Sequence, residues 1–355
     1  ALPIWMMASI SQLEPEMLAD KMFVGELALD GAIRPAPGAL AMAILAARAG
    51  VETLVVPEAN AAEAAVVRGI NVVGVRNLTQ AVNWLRGDEL LPSTRTEVEE
   101  LFSDGSEAMA DFAEVKGQEM VKRALEVAAA GGHNVMMIGP PGTGKSMMAK
   151  RLASVLPLMT LEEALETTKV HSVAGSLARG EPLIVQRPFR APHHTISDVG
   201  LLGGQSTPRP GEISLAHNGV LFLDELPEFR RTVLEVMRQP LEDGQVTVSR
   251  AAGTCTFPAN FQLVAAMNPC PCGYRGSTQR QCRCSSGQVS RYRARISGPL
   301  LDRIDMHIEV NQLSREEMLA QPDGECSSAI RKRVIAARRR QQERFAGSPT
   351  SANAD

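Results

Sequence analysis

Residues 134–156 constrain the fold of this chain more than any other segment. A continuous apolar stretch over 134–138 is followed by Gly139, Pro140, Pro141, Gly142, Thr143, Gly144, Lys145 and Ser146, and then by a helix-forming run over 146–156. The pattern G-x-x-x-x-G-K-[ST] is selective when it joins a strand to a helix in this way. Its glycines let backbone amides approach phosphate oxygens, and the helix N-terminus adds positive potential. In such a loop Lys145 neutralises the terminal phosphates of a nucleoside triphosphate, and the Ser146 hydroxyl ligates Mg²⁺. An apolar strand without alternation is buried on both faces, so the motif predicts an α/β fold in which helices flank a parallel sheet.

A phosphate loop of this kind needs a carboxylate on a neighbouring strand end. The string Gly219-Val-Leu-Phe-Leu-Asp224-Glu225 supplies an apolar strand that closes on two acids. Asp224 is the expected Mg²⁺ partner, and Glu225 the general base that polarises an attacking water. A third apolar strand over 261–267 ends at Asn268, an amide able to orient that water. Farther on, Leu300-Leu301-Asp302-Arg303 places an arginine after the last strand expected of this unit.

Charge adds a second constraint. The formal net charge is only −3, but residues 1–110 carry 7 Lys plus Arg against 15 Asp plus Glu, whereas residues 245–301 carry 7 Arg and no acidic residue. An acid-free arginine stretch is a footprint for a polyanion. Within it, β-prone runs over 245–249 and 254–257 flank Arg250, which predicts a hairpin with that arginine at its tip. Cys270-Pro-Cys272 and Cys282-Arg-Cys284 form two close thiol pairs, a ligand set suited to structural Zn²⁺, with disulfides as the alternative. Arg275, Arg280 and Arg283 surround the cysteines together with Tyr274 and Tyr292, the only two tyrosines in the chain, a mixture that suits phosphate contact and base stacking. Crowded cysteines of this type point to a reducing, cytoplasmic setting. The longest apolar candidate, over 38–56, is broken by Arg48 and Glu52, so no membrane span is expected.

Residues 1–86 alternate short apolar runs with Ala-rich stretches, an α/β pattern. Residues 87–111 turn polar and acidic, and are expected to link two domains. Residues 327–345 form a basic helix. The chain has no initiator Met and reads as a fragment.

Taken in order, the phosphate loop, the Asp-Glu strand, the terminal Asn268 and Arg303 resemble the AAA+ ATPases of the magnesium-chelatase and MCM-like branch. Longer strings narrow this further. Phe189-Arg-Ala-Pro-His-His-Thr195, Gly211-Glu-Ile-Ser-Leu-Ala-His-Asn-Gly219 and Ala266-Met-Asn-Pro-Cys-Pro-Cys-Gly273 are similar to the competence protein ComM (YifB-type) family. The resemblance implies an AAA+ core over 112–312 with a pre-sensor hairpin and a zinc module at 270–284, the start of a helical lid over 313–355, and a linker over 91–111. It also implies that 1–90 is a partial Lon-protease-like (ribosomal S5 domain 2-like) domain. The helix expected at 39–49 lacks the lysine that would activate a catalytic serine, so this domain is expected to be non-proteolytic. By the same resemblance Arg303 is an arginine finger that reaches a neighbouring subunit's ATP, Asn268 is the sensor, and the assembly is a hexameric ring. The implied activity is an ATP-driven DNA translocase or helicase, promoting branch migration during homologous recombination of incoming DNA. Arg250, Arg275, Arg280 and Arg283 would be its DNA contacts. A magnesium-chelatase-like motor or a protein remodeller is the alternative. The lid's second sensor arginine would lie beyond Asp355, which puts hydrolysis by this chain alone in doubt.

Overall fold

A computed structural model describes the chain except for residues 1, 11–12, 105–109, 179, 205–207, 252, 278–279, 320, 322–323, 347–351 and 355. It divides into two compact units, Ala1–Ser106 with Thr160–Val185, and Glu107–Met159 with Gln186–Asp355. Among the described residues no helix is long and apolar enough to cross a membrane.

The second unit is built on a five-stranded parallel sheet. Its spatial order is Met306–Glu309, Val135–Ile138, Gln262–Met267, Val220–Leu223, Phe189–Arg190. Apart from Gln262, the central strands are apolar because both faces are covered, and their side chains alternate between two cores. On one face Val135, Met137, Phe222, Val264 and Ala266 pack against helices Glu119–Gly131, Lys145–Val155 and Ser327–Arg344. On the other, Met136, Leu221, Leu223, Leu263 and Ala265 meet Ile213, Phe229, Val233, Tyr292 and Ile296. The hairpin forms as expected, with Gln245–Arg250 antiparallel to Gly253–Pro258 and Arg250 paired with Gly253 beside the turn. Helix Ser327–Arg344, within the stretch anticipated as a lid, contributes Ile330 and Val334 to the first core.

The first unit holds a three-stranded parallel sheet, Lys21–Phe23, Thr53–Pro57 and Asn71–Val75, in spatial order. Two features depart from the boundaries expected from sequence. Helix Val98–Asp104 lies inside the stretch taken as linker, and helix Leu161–Ala174, placed by sequence within 112–312, belongs to this unit. The second departure has a physical cause in a buried polar cluster. Glu63, only 5% exposed, accepts the Leu40 backbone N–H at 2.9 Å and the Asn60 amide at 3.2 Å, and the Ser172 hydroxyl of Leu161–Ala174 bonds the same carboxylate. A buried carboxylate must find such partners, and this helix supplies one of them.

Candidate nucleotide site and cysteine centre

The strand Val135–Ile138 delivers the phosphate loop to the carboxyl edge of the sheet, and the loop turns directly into helix Lys145–Val155. Gly142 and Gly144 take left-handed conformations, φ 79° and 84°, which fold the loop tightly enough to turn its amides inward. Lys145 is buried, and its ammonium donates to the carbonyls of Gly139 at 2.7 Å and Pro140 at 2.8 Å and lies 3.4 Å from Asn268 Oδ1. Burial lowers its pKa, and the carboxylates of Asp224 and Glu225 oppose that shift. Thr143 Oγ1 closes the loop on the Pro140 carbonyl at 3.0 Å.

Strands Val135–Ile138 and Val220–Leu223 both flank Gln262–Met267, so their ends converge. Ser146 Oγ donates to Asp224 Oδ2 at 2.6 Å, which brings together the two groups expected to share Mg²⁺. The Glu225 backbone N–H donates to Asp224 Oδ1 at 2.9 Å. Glu225 itself sits in the left-handed region, φ 53° and ψ 45°, a conformation costly for a side-chain-bearing residue and one that sites of chemistry tend to retain.

Sequence reasoning left His193 and His194 without a role. In the structure His194 Nδ1 lies 3.3 Å from Glu225 Oε2, while its ring packs 4.1 Å from His193 and edge-on to Phe229. The signal was present in the order of elements. Phe189–Arg190 is the sheet neighbour of the Asp224 strand, and residues that follow the carboxyl end of a neighbouring strand face the same crevice. Tyr292, grouped by sequence with Tyr274 as a stacking residue, is instead buried in the second core and not open to a base. Its buried hydroxyl takes a hydrogen bond from the Asn268 backbone; burial, together with the Glu228 carboxylate, pushes it up to about 12.

The four cysteines Cys270, Cys272, Cys282 and Cys284 have sulfurs that all lie within 4.8 Å of one another. Sγ separations are 3.4 Å for Cys270–Cys272, 3.6 Å for Cys270–Cys282 and 3.7 Å for Cys272–Cys282. A tetrahedral zinc with bonds of about 2.3 Å needs sulfurs roughly 3.8 Å apart, so the donor set fits, and the thiols are free of disulfides. Their acidities diverge. Backbone N–H groups of Tyr274 and Arg283 lower Cys272 to about 6, whereas Cys284, despite an N–H from Cys272, is pushed up to about 12 by burial and the adjacent thiols. Four crowded sulfurs resist full ionisation until a cation joins them.

The family model described as "Magnesium chelatase, subunit ChlI" matches residues 111–318, and "Subunit ChlI of Mg-chelatase" matches residues 1–60. Competence protein ComM of Haemophilus influenzae is 46% identical over 343 residues, 96% of this chain and 67% of that protein. An uncharacterized protein of Mycobacterium tuberculosis is 44% identical over 95% of this chain and 66% of its own length, and YifB of Escherichia coli 43% over 96% and 66%. The chain belongs to the ComM/YifB-type, magnesium-chelatase-like AAA+ family. It spans about two thirds of the length of these relatives. The AAA+ family implies ATP and Mg²⁺ as ligands.

In this ComM-type chain the remaining expected residues are not gathered at the phosphate loop. Arg303 lies at the opposite, amino-terminal edge of the sheet, where its carbonyl accepts the Asn134 side-chain amide at 2.9 Å and its guanidinium pairs with Glu242, Nε to Oε1 at 3.0 Å. Arg250 stands beside the hairpin turn and donates to the Ser249 carbonyl at 2.9 Å. Arg275 and Arg283 belong to the cysteine loop and make no ion pair among the described residues, and Arg280 stacks over Tyr274, 4.6 Å from the ring centre. Arg295, by contrast, is engaged with Glu228 at 2.8 Å.

Proposed function

We propose that this chain carries the ATP-hydrolysing portion of a ring-forming cytoplasmic DNA translocase that promotes branch migration in the recombination of incoming DNA. The observation that carries the proposal is the 2.6 Å Ser146–Asp224 pair with Glu225 beside it, set next to an arginine stretch that contains no acid. Ser146 and Asp224 would hold Mg²⁺, which supplies charge neutralisation at the terminal phosphates. Lys145 binds the same phosphates in place of its present carbonyl partners. Glu225 takes up the proton of the attacking water, and Asn268 orients that water.

Arg303, remote from its own loop, acts on a neighbouring subunit, which makes hydrolysis depend on ring assembly. Cys270, Cys272, Cys282 and Cys284 hold structural Zn²⁺. Arg250, Arg275, Arg280 and Arg283 contact the phosphate backbone of DNA, with Tyr274 available for stacking. The competence name of the Haemophilus relative supports the biological setting.

A chelatase-type motor is the second reading, favoured by the name of the family model. It does not call for a four-cysteine module among unpaired arginines. The full-length protein incubated with a labelled four-way junction and ATP separates the two. Release of branched products, abolished by Glu225→Gln, is the expected result, whereas an intact junction alongside active ATP turnover would favour the chelatase reading.

A further inference from the structure

The cysteine centre is built against the nucleotide site. Asn268, whose side chain approaches Lys145, is followed two residues later by Cys270, which is fully buried. The Gly273 backbone N–H donates to the Cys270 carbonyl at 2.9 Å, turning the chain back toward the phosphate loop. Gly273 has φ 85°, and a Cβ there would lie 2.8 Å from Pro141 Cδ, 3.3 Å from Pro141 Cγ and 3.9 Å from Asn268 Cγ. Only a glycine backbone can sit this close, so the cysteine loop rests directly on the Pro141 ring. Helix Ser286–Arg293, which follows the second cysteine pair, returns Tyr292 to the Asn268 backbone.

Beside this contact the loop borders open space. A cavity of about 430 Å³ is bounded by Gly139 and Pro140 on the phosphate-loop side and by Arg275 and Gly276 of the cysteine loop. Among the described residues of the loop, Ser277 Oγ donates to Gln312 Oε1 at 2.7 Å and Arg280 stacks on Tyr274. The four sulfurs gather the two ends of the loop within 4.8 Å of one another, so whatever joins them bears on how the loop sits. With them joined, Gly273 is pressed on Pro141 and Asn268 is held toward Lys145. With them apart, the loop regains conformational freedom and that support is lost.

We propose that the four-cysteine centre braces the nucleotide site, so that zinc occupancy sets nucleotide affinity through the Gly273–Pro141 contact. This rests on assigning Gly139–Ser146 as the ATP loop, and it makes the cysteines a thiol- and metal-sensitive control over that loop.

The test measures bound zinc and the affinity for fluorescent mant-ADP in the full-length protein, with saturating Mg²⁺ throughout. Zinc-loaded protein is compared with protein stripped by chelator and thiol reagent, then reduced and resupplied with zinc ion. About one zinc per chain, a roughly tenfold weaker mant-ADP affinity on stripping, and recovery on zinc addition are expected. Gly273→Ala isolates the contact from general unfolding, because it should keep its zinc yet bind mant-ADP more weakly. Cys255→Ser, in an exposed thiol outside the cluster, should change neither quantity. The proposal is overturned if the protein holds no zinc, if stripped protein binds mant-ADP as well as loaded protein, or if Gly273→Ala binds it like wild type. DNA stimulation of ATP hydrolysis, measured on the same samples, is a separate readout. Its persistence with zinc-independent affinity would sink the brace and leave the translocase reading standing, and its absence with zinc-dependent affinity would do the reverse.

Discussion

At the scale of single residues, the nucleotide site shows groups held in readiness by substitute partners. The Lys145 ammonium, partly desolvated, rests on the carbonyls of Gly139 and Pro140, and Ser146 rests on Asp224. Phosphate oxygens offer these donors stronger, charge-assisted acceptors, so exchange of partners favours binding. Lys145→Ala should therefore weaken mant-ATP binding by about ten- to a hundredfold, a loss of about 1.4–2.8 kcal/mol. Glu225→Gln should leave that affinity nearly intact while lowering turnover by at least about a hundredfold, because it removes the proton acceptor and keeps the shape. Equal loss of binding in the two variants would contradict these roles. Lys145, Ser146, Asp224 and Glu225 were legible in sequence because each occupies a fixed offset from a strand or helix end. The approach of His194 to Glu225 was not, since it depends on Phe189–Arg190 lying next to the Asp224 strand, a pairing between residues about thirty positions apart that no local pattern encodes.

At the scale of elements, continuous apolar runs announced the parallel strands, and the β-prone runs around Arg250 announced the hairpin. Helix Leu161–Ala174 fell within the 112–312 span because no local pattern tells which unit such a segment joins. The Ser172–Glu63 bond that ties it to the first unit spans 109 positions. Helix Ser327–Arg344 illustrates a different limit. Its sequence reads as a basic helix with little to offset its charge, but Arg333 inserts between two acids, donating to Glu126 at 2.6 Å and to Glu325 at 2.6 Å. The Arg333 guanidinium holds both carboxyls below their ordinary 4.5. A carboxyl whose folded-state pKa is depressed contributes stability above its unfolded value, and that contribution is lost as pH falls through the folded one. Arg333→Ala should thus cost about 1 kcal/mol in urea unfolding at pH 7, a modest figure because the arginine is half-exposed. The difference from wild type should shrink steadily below about pH 4.5, and a cost that persists unchanged at pH 3 would show that packing, not charge, carries it.

At the scale of the whole molecule, the chain belongs to the magnesium-chelatase-like AAA+ family, and the role proposed for Arg303 would make hydrolysis depend on more than one chain. It stands at the edge of the sheet opposite its own phosphate loop and is occupied by Glu242. In the proposed ring it would have to leave Glu242 to reach a neighbour's nucleotide. Arg303→Ala should then lower turnover by about a thousandfold, within the range of a lost arginine finger. Mixing it with Lys145→Ala should restore part of the activity, since sites made of one intact loop and one intact finger re-form only between different chains. Failure of any mixing ratio to restore turnover would place Arg303 outside the catalytic apparatus. The proposed DNA contact belongs to this scale too, because Arg275 and Arg283, which make no ion pair among the described residues, would release counterions on meeting a polyanion.

The most direct test of the central claim is the ATPase rate of the full-length protein with and without single-stranded or forked DNA across a salt series, with Glu225→Gln as the inactive reference. The account predicts a rate that rises with DNA, loses that stimulation as salt increases, and vanishes in the variant. A rate indifferent to DNA at every salt concentration would contradict it.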